Sequence, residues 1–85
     1  MSNLKYILEN LEKRNEIYIM DDLEDIAVRY TPVKEGYKNF AKFKGEEEYE
    51  ISGTSNVVTR ADMGGTIMTK EEYMILVRLT KDISQ

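Results

Sequence analysis

Apolar residues near the N-terminus recur with the period of an α-helix. The positions i, i+3, i+4 and i+7 of one stripe are Leu4, Ile7, Leu8 and Leu11. Ser2 or Asn3 can cap the first turn. Two cations, Lys13 and Arg14, fall in the last turn, where the helix dipole favours positive charge. We predict a helix over residues 3–14 that docks its apolar stripe on a sheet.

The segment that follows this helix predicts β-strands. Residues 16–20 form a short run of β-branched and aromatic residues, which is typical of a strand. Residues 21–33 allow two interpretations, because their apolar positions fit both a helical spacing and a strand alternation. Pro32 favours extended backbone at the residue before it. We therefore prefer an acidic turn at 21–25 and a strand at 26–32, with the proline at the strand end.

The stretch from Asn39 to Ser52 alternates lysines with apolar residues and then, after a glycine, glutamates with apolar residues. We predict a strand over 37–44 and a three-residue hairpin loop at 45–47. The cross-strand pairs are then Lys44 with Glu48, Phe43 with Tyr49, Lys42 with Glu50 and Ala41 with Ile51. In this register the charges share one solvated face, and the apolar side chains share the buried face.

Residues 57–63 also alternate, and they predict a further strand after a polar turn at 52–56. Arg60 and Asp62 fall on one side of this strand and extend the charged face of the sheet. The glycine pair at 64–65 ends the strand. The prediction is an antiparallel sheet with one wet face and one buried face.

The C-terminal segment carries the clearest local signal in the chain. Thr69 and Glu72 have the spacing of a capping box, and Met68 and Tyr73 have that of a hydrophobic staple. They predict a helix over about 70–82. The whole pattern predicts an α+β fold with an N-terminal helix, about four antiparallel β-strands and a C-terminal helix. These elements form a two-layer sandwich in one domain of 85 residues.

Composition restricts the chemistry that is open to this domain. The chain has no cysteine and no histidine, so it lacks a thiolate nucleophile, a Cys/His zinc site and a side chain that ordinarily titrates near pH 7. These gaps disfavour catalysis, and we predict no cofactor. The net charge of −4 disfavours non-specific binding to phosphate backbones and anionic lipids. No apolar run suits a membrane span or a signal peptide, so we expect a cytoplasmic chain that starts near Met1.

One acidic stretch has a spacing that is associated with metal binding. Residues 21–25 read DDLED and match a D-D-x-x-D string that resembles the magnesium–diphosphate motif of polyprenyl synthases. That family needs a large helical cavity, which 85 residues cannot build. Asp21, Asp22 and Asp25 are weak candidates for a hard cation, with Glu24 beside them, and we assign no metal site.

Six tyrosines and a lysine-rich strand raise the question of nucleic-acid binding. Tyrosine stacks on bases, and the available cations are Lys34, Lys38, Lys42 and Lys44. The predicted hairpin pairs its lysines with glutamates, and the acidic balance of the chain opposes a phosphate-binding strip. Nucleic-acid binding therefore stays an alternative hypothesis.

The terminal helix gives the main functional indication. The residues Met74, Ile75, Leu76 and Val77 are consecutive and Leu79 follows, so apolar side chains surround most of the helix. A two-layer domain of this size can scarcely enclose a helix on all sides. We predict that Met74, Ile75 or Leu79 lies at a surface that binds another protein or a second copy of the chain.

The leading hypothesis is a non-catalytic regulatory module that acts through protein–protein contacts, either as a homodimer or on another protein. A small inhibitor or accessory factor from a phage or mobile element would have these features. One alternative is a nucleic-acid binder that uses the lysine-rich face. The other is a small metal-dependent protein centred on residues 21–25.

Overall fold

The computed structural model describes residues 2–43 and 46–75, and it shows an α+β domain, as predicted. Its elements are α1 (Leu4–Glu12), β1 (Ile17–Asp21), β2 (Ile26–Pro32), β3 (Tyr37–Phe43), β4 (Tyr49–Ile51), α2 (Asn56–Gly64) and β5 (Thr66–Met68). A helical turn over 70–75 follows β5, and the rest of the predicted helix at 70–82 lies outside the described residues. Within the described part of the chain, no helix has the length and apolar character that crossing a membrane requires.

The strands form one five-stranded antiparallel sheet in the order β4-β3-β2-β1-β5. β1 and β2 are joined by the predicted acidic turn, and Asp21 faces Ile26 at its base. The bounds of β2 are the predicted ones. β5 is absent from the sequence-based prediction. It follows the glycine pair, lies beside β1 with Ile67 opposite Ile19, and is too short to show a strand period.

α1 docks only part of its predicted apolar stripe. Ile7 is buried and Leu11 packs against the same core, whereas Leu4 and Leu8 stay exposed. Asn3 ties the start of the helix to α2, because its side-chain amide donates to two carbonyls at the end of α2, at 2.9 and 2.8 Å. This anchor holds α1 against α2 without burying the whole stripe.

The β3–β4 hairpin has a different register from the predicted one. The observed pairs are Asn39 with Ile51, Phe40 with Glu50 and Ala41 with Tyr49. The predicted register is therefore wrong by two residues. An even shift keeps side chains of one predicted face together, since strand side chains alternate with period two. The predicted burial is wrong, however, because Lys42 is buried while Phe43 and Tyr49 are exposed. The longer loop lets Glu48 reach Arg29 Nε at 2.5 Å instead of facing a lysine across the hairpin.

Residues 57–63 belong to α2, so the strand predicted there is wrong. Ser55 is the N-cap of this helix, and its hydroxyl accepts a hydrogen bond from Val58 N at 3.3 Å. Val58 and Ala61 are both buried, and their spacing of three residues is that of one helix face. The same segment also alternates like a strand, so the sequence pattern alone fits both structures. The two charged residues of the segment consequently lie on a helix and do not extend a charged sheet face.

Apolar side chains pack on both faces of the sheet. α1 and α2 cover one face, where the buried residues are Ile7, Ile17, Ile19, Val28, Tyr30, Val58 and Ala61. On the opposite face, Tyr73 packs against Tyr18 and Ala27. Neighbouring side chains of a strand point to opposite faces, which explains the division. The face predicted to be solvated is thus partly covered by the turn at 70–75.

The predicted capping box is confirmed at the start of this turn. Thr69 N donates to Glu72 Oε1 at 2.9 Å, and Glu72 N donates to Thr69 Oγ1 at 3.1 Å. Met68 packs against the cluster that contains Tyr73, in agreement with the predicted hydrophobic staple. The capping box and the staple together fix how the chain leaves β5 and crosses the sheet.

Candidate protein-binding site

Two of the three predicted interface residues are described, and both are exposed. Met74 is 56% exposed and Ile75 is 46% exposed, whereas their neighbour Tyr73 is 1% exposed. Tyr73 faces the sheet and, because successive helical residues are about 100° apart, it turns the next two side chains outward. Leu79 lies outside the described residues.

The acidic stretch at 21–25 is engaged by other side chains of the protein. Arg60 Nε donates to Asp21 Oδ2 at 2.8 Å, and Arg60 Nη2 donates to Glu24 Oε2 at 2.9 Å. Asp22 accepts a hydrogen bond from the threonine that begins β5, at 2.7 Å. Among the described residues, no three His, Cys, Asp or Glu side chains are arranged to hold a metal ion. The three candidate aspartates are therefore not brought together as a cation site.

Among the described strand lysines, Lys42 and Lys38 are each engaged by another side chain. Lys42 is buried, and its Nζ lies 4.6 Å from the centre of the Tyr73 ring. Lys38 Nζ lies 3.9 Å from Glu50 Oε1. Lys44 lies outside the described residues. Engagement by an aromatic ring and by a carboxylate weakens the nucleic-acid hypothesis, which needs these cations on one accessible surface.

Glu16 organises polar side chains just before β1. Its carboxylate accepts hydrogen bonds from Thr31 Oγ1 and Tyr18 Oη, at 2.6 Å each, and from Arg29 Nη1 at 2.7 Å. The two hydroxyl donors are the main reason that the pKa of Glu16 lies below its ordinary value of 4.5. The Arg29 guanidinium adds to this effect, while burial opposes it. Glu16 is therefore ionised at neutral pH, and it shares the charge of Arg29 with Glu48.

The tyrosines on this face of the sheet are held protonated. Burial and the neighbouring Glu16 raise the pKa of Tyr18 to about 12. Burial likewise raises the pKa of Tyr73. At neutral pH both phenols are therefore neutral and do not act as bases, and the Tyr18 hydroxyl donates to Glu16.

An open groove of about 590 Å³ lies between α1 and the end of β5. We call it the β5 groove, and the lining residues that matter below are Tyr6, Arg14, Glu16, Ile67, Thr69 and Lys70. Tyr6 from α1 is 38% exposed and Ile67 from β5 is 42% exposed, so both present apolar surface to water. The groove adjoins an edge of the sheet, because β5 is the last strand.

Arg14 reaches the β5 groove from an unusual backbone position at the end of α1. Its φ is 61°, in the left-handed region that helix ends usually give to glycine. Arg14 N donates to Leu11 O at 3.0 Å. Asn15 N donates to Asn10 O at 2.9 Å, and the two bonds form a Schellman motif. Arg14 Nη2 donates to Val33 O at 3.0 Å, which orients the guanidinium.

The β5 groove is locally positive. Neither Arg14 nor Lys70 forms an ion pair with another residue in 2–43 and 46–75. Glu16, which also lines the groove, shares Arg29 with Glu48, so the charged lining is two cations and one carboxylate. Two cations are thus left without a carboxylate partner among the described residues of a chain whose net charge is −4.

The β5 groove is absent from the sequence-based prediction. Its residues come from separate segments around Tyr6, Arg14 and Lys70, and no local pattern links them. A basic residue at a predicted helix end is the one signal in the sequence, and it suggests only a favourable helix dipole.

The chain matches no protein-family model, no curated protein and no solved structure.

Proposed function

We propose that this protein is a non-catalytic regulatory module of the cytoplasm that acts by binding another protein. The observation that carries the proposal is the outward orientation of Met74 and Ile75 on a turn whose neighbour Tyr73 is buried. Adjacent apolar side chains held out by a packed anchor form a surface that a partner can cover. A small inhibitor or accessory factor of a phage or mobile element is the favoured class, and a homodimer is its self-binding form.

The exposed pair needs further contacts to hold a complex. Because Met74 and Ile75 are already about half buried, covering each contributes roughly half of the ~1.5–3 kcal/mol that full burial of such a side chain supplies. Association costs about 4–15 kcal/mol or more in lost rigid-body freedom. Additional surface adjoins the pair, because Lys70 lines the β5 groove and Met74 lies one helical turn further on the same helix face. The proposed interface therefore extends from this turn toward the groove.

The test changes the exposed pair and leaves the buried anchor intact. Met74→Glu and Ile75→Glu each introduce a charge at an exposed position, so both variants should keep the wild-type circular dichroism spectrum and unfolding midpoint. Leu23→Glu is the matched control, since Leu23 is 75% exposed in the turn between β1 and β2.

Two measurements cover the two kinds of partner. Sedimentation equilibrium measures self-association, and quantitative mass spectrometry of proteins captured from native lysate by the tagged chain measures binding to other proteins. We expect Met74→Glu and Ile75→Glu to weaken one of these interactions by about tenfold or more, because a charge replaces a buried apolar contact. Leu23→Glu should leave both unchanged. Wild-type association in all three variants would show that the proposal is wrong.

A further inference from the structure

We propose that the β5 groove binds an extended, acidic peptide segment of the partner protein. The inference rests on the proposed function and specifies the chemistry of the partner at one site. The backbone of the segment adds to the sheet at β5, and one of its apolar side chains packs against Tyr6 and Ile67. Its carboxylates lie beside Arg14 and Lys70.

Among residues 2–43 and 46–75, nothing pairs with the outer edge of β5, so this edge is available for strand addition. Its pairing with β1 covers only Tyr18, Ile19 and Met20, and β5 has no further strand beside it in the described sheet. An edge strand carries backbone N–H and C=O groups to which an added strand can bond. Proteins often block such edges with charged residues or proline, and Thr66–Met68 contains neither. The opposite edge, β4, carries a glutamate at its centre.

The walls of the β5 groove supply apolar surface for one side of the added strand. Ile67 faces Ile19 across the β1–β5 pairing and therefore points to the sheet face that α1 covers. Tyr6 lines the same groove from α1. A residue of the added strand beside Ile67 would bury its side chain against Ile67 and Tyr6. The next residue would point to the other face, so the segment should alternate apolar and polar residues.

The charges of the β5 groove select an acidic segment. Arg14 offers a planar fork that suits a carboxylate, and Lys70 offers a compact positive charge. Both side chains are exposed. A basic segment would be repelled by the two cations. A nucleic-acid strand would be attracted by them, but the net charge of −4 opposes a polyanion and favours a short segment with few carboxylates.

The backbone of Arg14 supports a role for its side chain beyond the fold. At φ 61° an arginine carries a steric cost that glycine avoids, so fold stability alone would favour glycine there. The bond to Val33 O uses one of the five guanidinium donors. The left-handed backbone of this helix end thus places a cation at the rim of the groove.

A random peptide library displayed on phage identifies the preferred segment whatever the partner protein is. The wild-type protein should enrich sequences that alternate apolar residues with aspartate or glutamate. An enriched peptide is then synthesised, and fluorescence anisotropy measures its Kd for the wild type and for three variants. The variants are Arg14→Gly, Lys70→Gln and the matched control Lys38→Gln, whose lysine lies on β3 and pairs with Glu50. Arg14→Gly removes the guanidinium, and glycine adopts the left-handed backbone at this position without steric cost. Weaker binding by this variant would therefore come from the lost side chain and not from a destabilised fold.

Arg14→Gly and Lys70→Gln should each weaken peptide binding roughly threefold to fivefold, as expected for exposed charge pairs. Lys38→Gln should leave the Kd unchanged. Binding should weaken with added salt, because the charges of the β5 groove are exposed. The same peptide with N-methyl groups on alternate backbone amides should lose binding, since an added strand bonds through those amides.

Several outcomes would overturn the inference. They are a library that enriches no sequence, enriched sequences without acidic residues, and wild-type affinity in both Arg14→Gly and Lys70→Gln. A single-stranded oligonucleotide that displaces the peptide and binds more tightly would overturn it in favour of a nucleic-acid site. If the groove variants still capture the cellular partner as the wild type does, the groove inference fails and the protein-binding function stands. If the peptide binds as expected while Met74→Glu and Ile75→Glu leave association unchanged, the assignment of that pair fails instead.

Discussion

The hydroxyl of Tyr30 donates a hydrogen bond to Asp62 Oδ1 at 2.5 Å and so joins β2 to α2. Tyr30 is buried and Asp62 is partly buried. The backbone carbonyl of Asp62 also accepts a hydrogen bond from Asn3 N at 2.7 Å, so α1 meets the same point. Burial raises the pKa of Asp62 above its ordinary value of 3.8, and the bond from Tyr30 opposes that rise. This contact links both helices to the sheet.

Tyr30→Phe should destabilise the domain more at neutral pH than near pH 3. At neutral pH the substitution leaves the partly buried Asp62 carboxylate without its donor, which costs about 1–3 kcal/mol. The folded-state pKa of Asp62 is raised, so its protonation stabilises the fold below pH 3.8, and this contribution is lost as pH rises through the folded value. Near pH 3 the Asp62 carboxyl is neutral, so losing the hydrogen bond from Tyr30 costs less stability. Urea unfolding at both pH values measures the difference.

Asp62→Asn is the control for that experiment. It removes the titrating group, so the pH dependence that comes from this site should disappear. An equal loss of stability in Tyr30→Phe at both pH values would contradict the argument.

Glu16→Gln should make the domain less sensitive to acid. The folded-state pKa of Glu16 is lowered, mainly by the hydrogen bonds from Thr31 and Tyr18, so its contribution is present above pH 4.5. That contribution is lost as pH falls through the folded value. The carboxylate is 34% exposed, so screening limits the loss in the variant at neutral pH to about 1 kcal/mol. Across this pH range, the melting temperature of Glu16→Gln should fall less steeply with acidification than that of the wild type. Melting temperatures that fall in parallel in the two proteins would disprove the assignment.

Gly65→Ala should destabilise the contact between α2 and β1. A Cβ at position 65 would collide with the backbone oxygen of Met20 and the side chain of Ile19. The resulting displacement should cost about 1–3 kcal/mol. Gly36→Ala is the comparison, because Gly36 has a φ of 85° with open space around a Cβ and tests backbone strain alone, at about 1–2 kcal/mol. Only Gly65→Ala should also disturb the β1–β5 pairing, as amide hydrogen exchange at β5 would report.

Arg60→Gln should be strongly destabilising, because it leaves the Asp21 carboxylate, which is 1% exposed, without its cation. Removing one partner of a buried pair costs about 3–5 kcal/mol, and the partial exposure of Arg60 favours the lower end. Lys38→Gln breaks the exposed pair with Glu50 and should cost less than about 1 kcal/mol. Urea midpoints of the two variants compare the sites. Similar small losses in both would show that the Asp21 pair matters little.

Calcium and magnesium should leave the melting temperature of the wild type unchanged. Arg60 already pairs with both Asp21 and Glu24, and Asp22 is bonded to a threonine of β5. A cation would have to displace these partners before it found enough oxygen ligands. Differential scanning calorimetry with and without each metal makes the measurement, and a clear rise in melting temperature would restore the metal-binding hypothesis.

The elements that the sequence by itself determined are those whose decisive contacts are local. The capping box of Thr69 and Glu72 depends on residues one helical turn apart. The end of β2 depends on Pro32, which limits the strand, whereas the sequence left both helix and strand open for residues 21–33. The outward orientation of Met74 follows in the same way, from helical geometry and the inward Tyr73.

Only the tertiary structure decided the segment at 57–63. Its alternation suits a strand, and the spacing of Val58 and Ala61 suits a helix, so local pattern leaves both open. In the fold, Gly65 has no Cβ, and this lets the end of α2 approach β1 closely around Met20. The helix buries both apolar residues against the sheet, and this long-range packing settles the choice.

The β5 groove also depends on tertiary structure. Tyr6, Arg14 and Lys70 belong to segments that meet only when β5 closes the edge of the sheet. The burial of Lys42 against Tyr73 has the same origin, since the alternation of β3 predicts its face but not what covers it. Hydrogen bonds and steric limits between neighbours can be read along the chain. Contacts between segments that are distant in the sequence depend on which apolar surfaces pack together. Only the tertiary structure decides that packing, because it overrides local propensity.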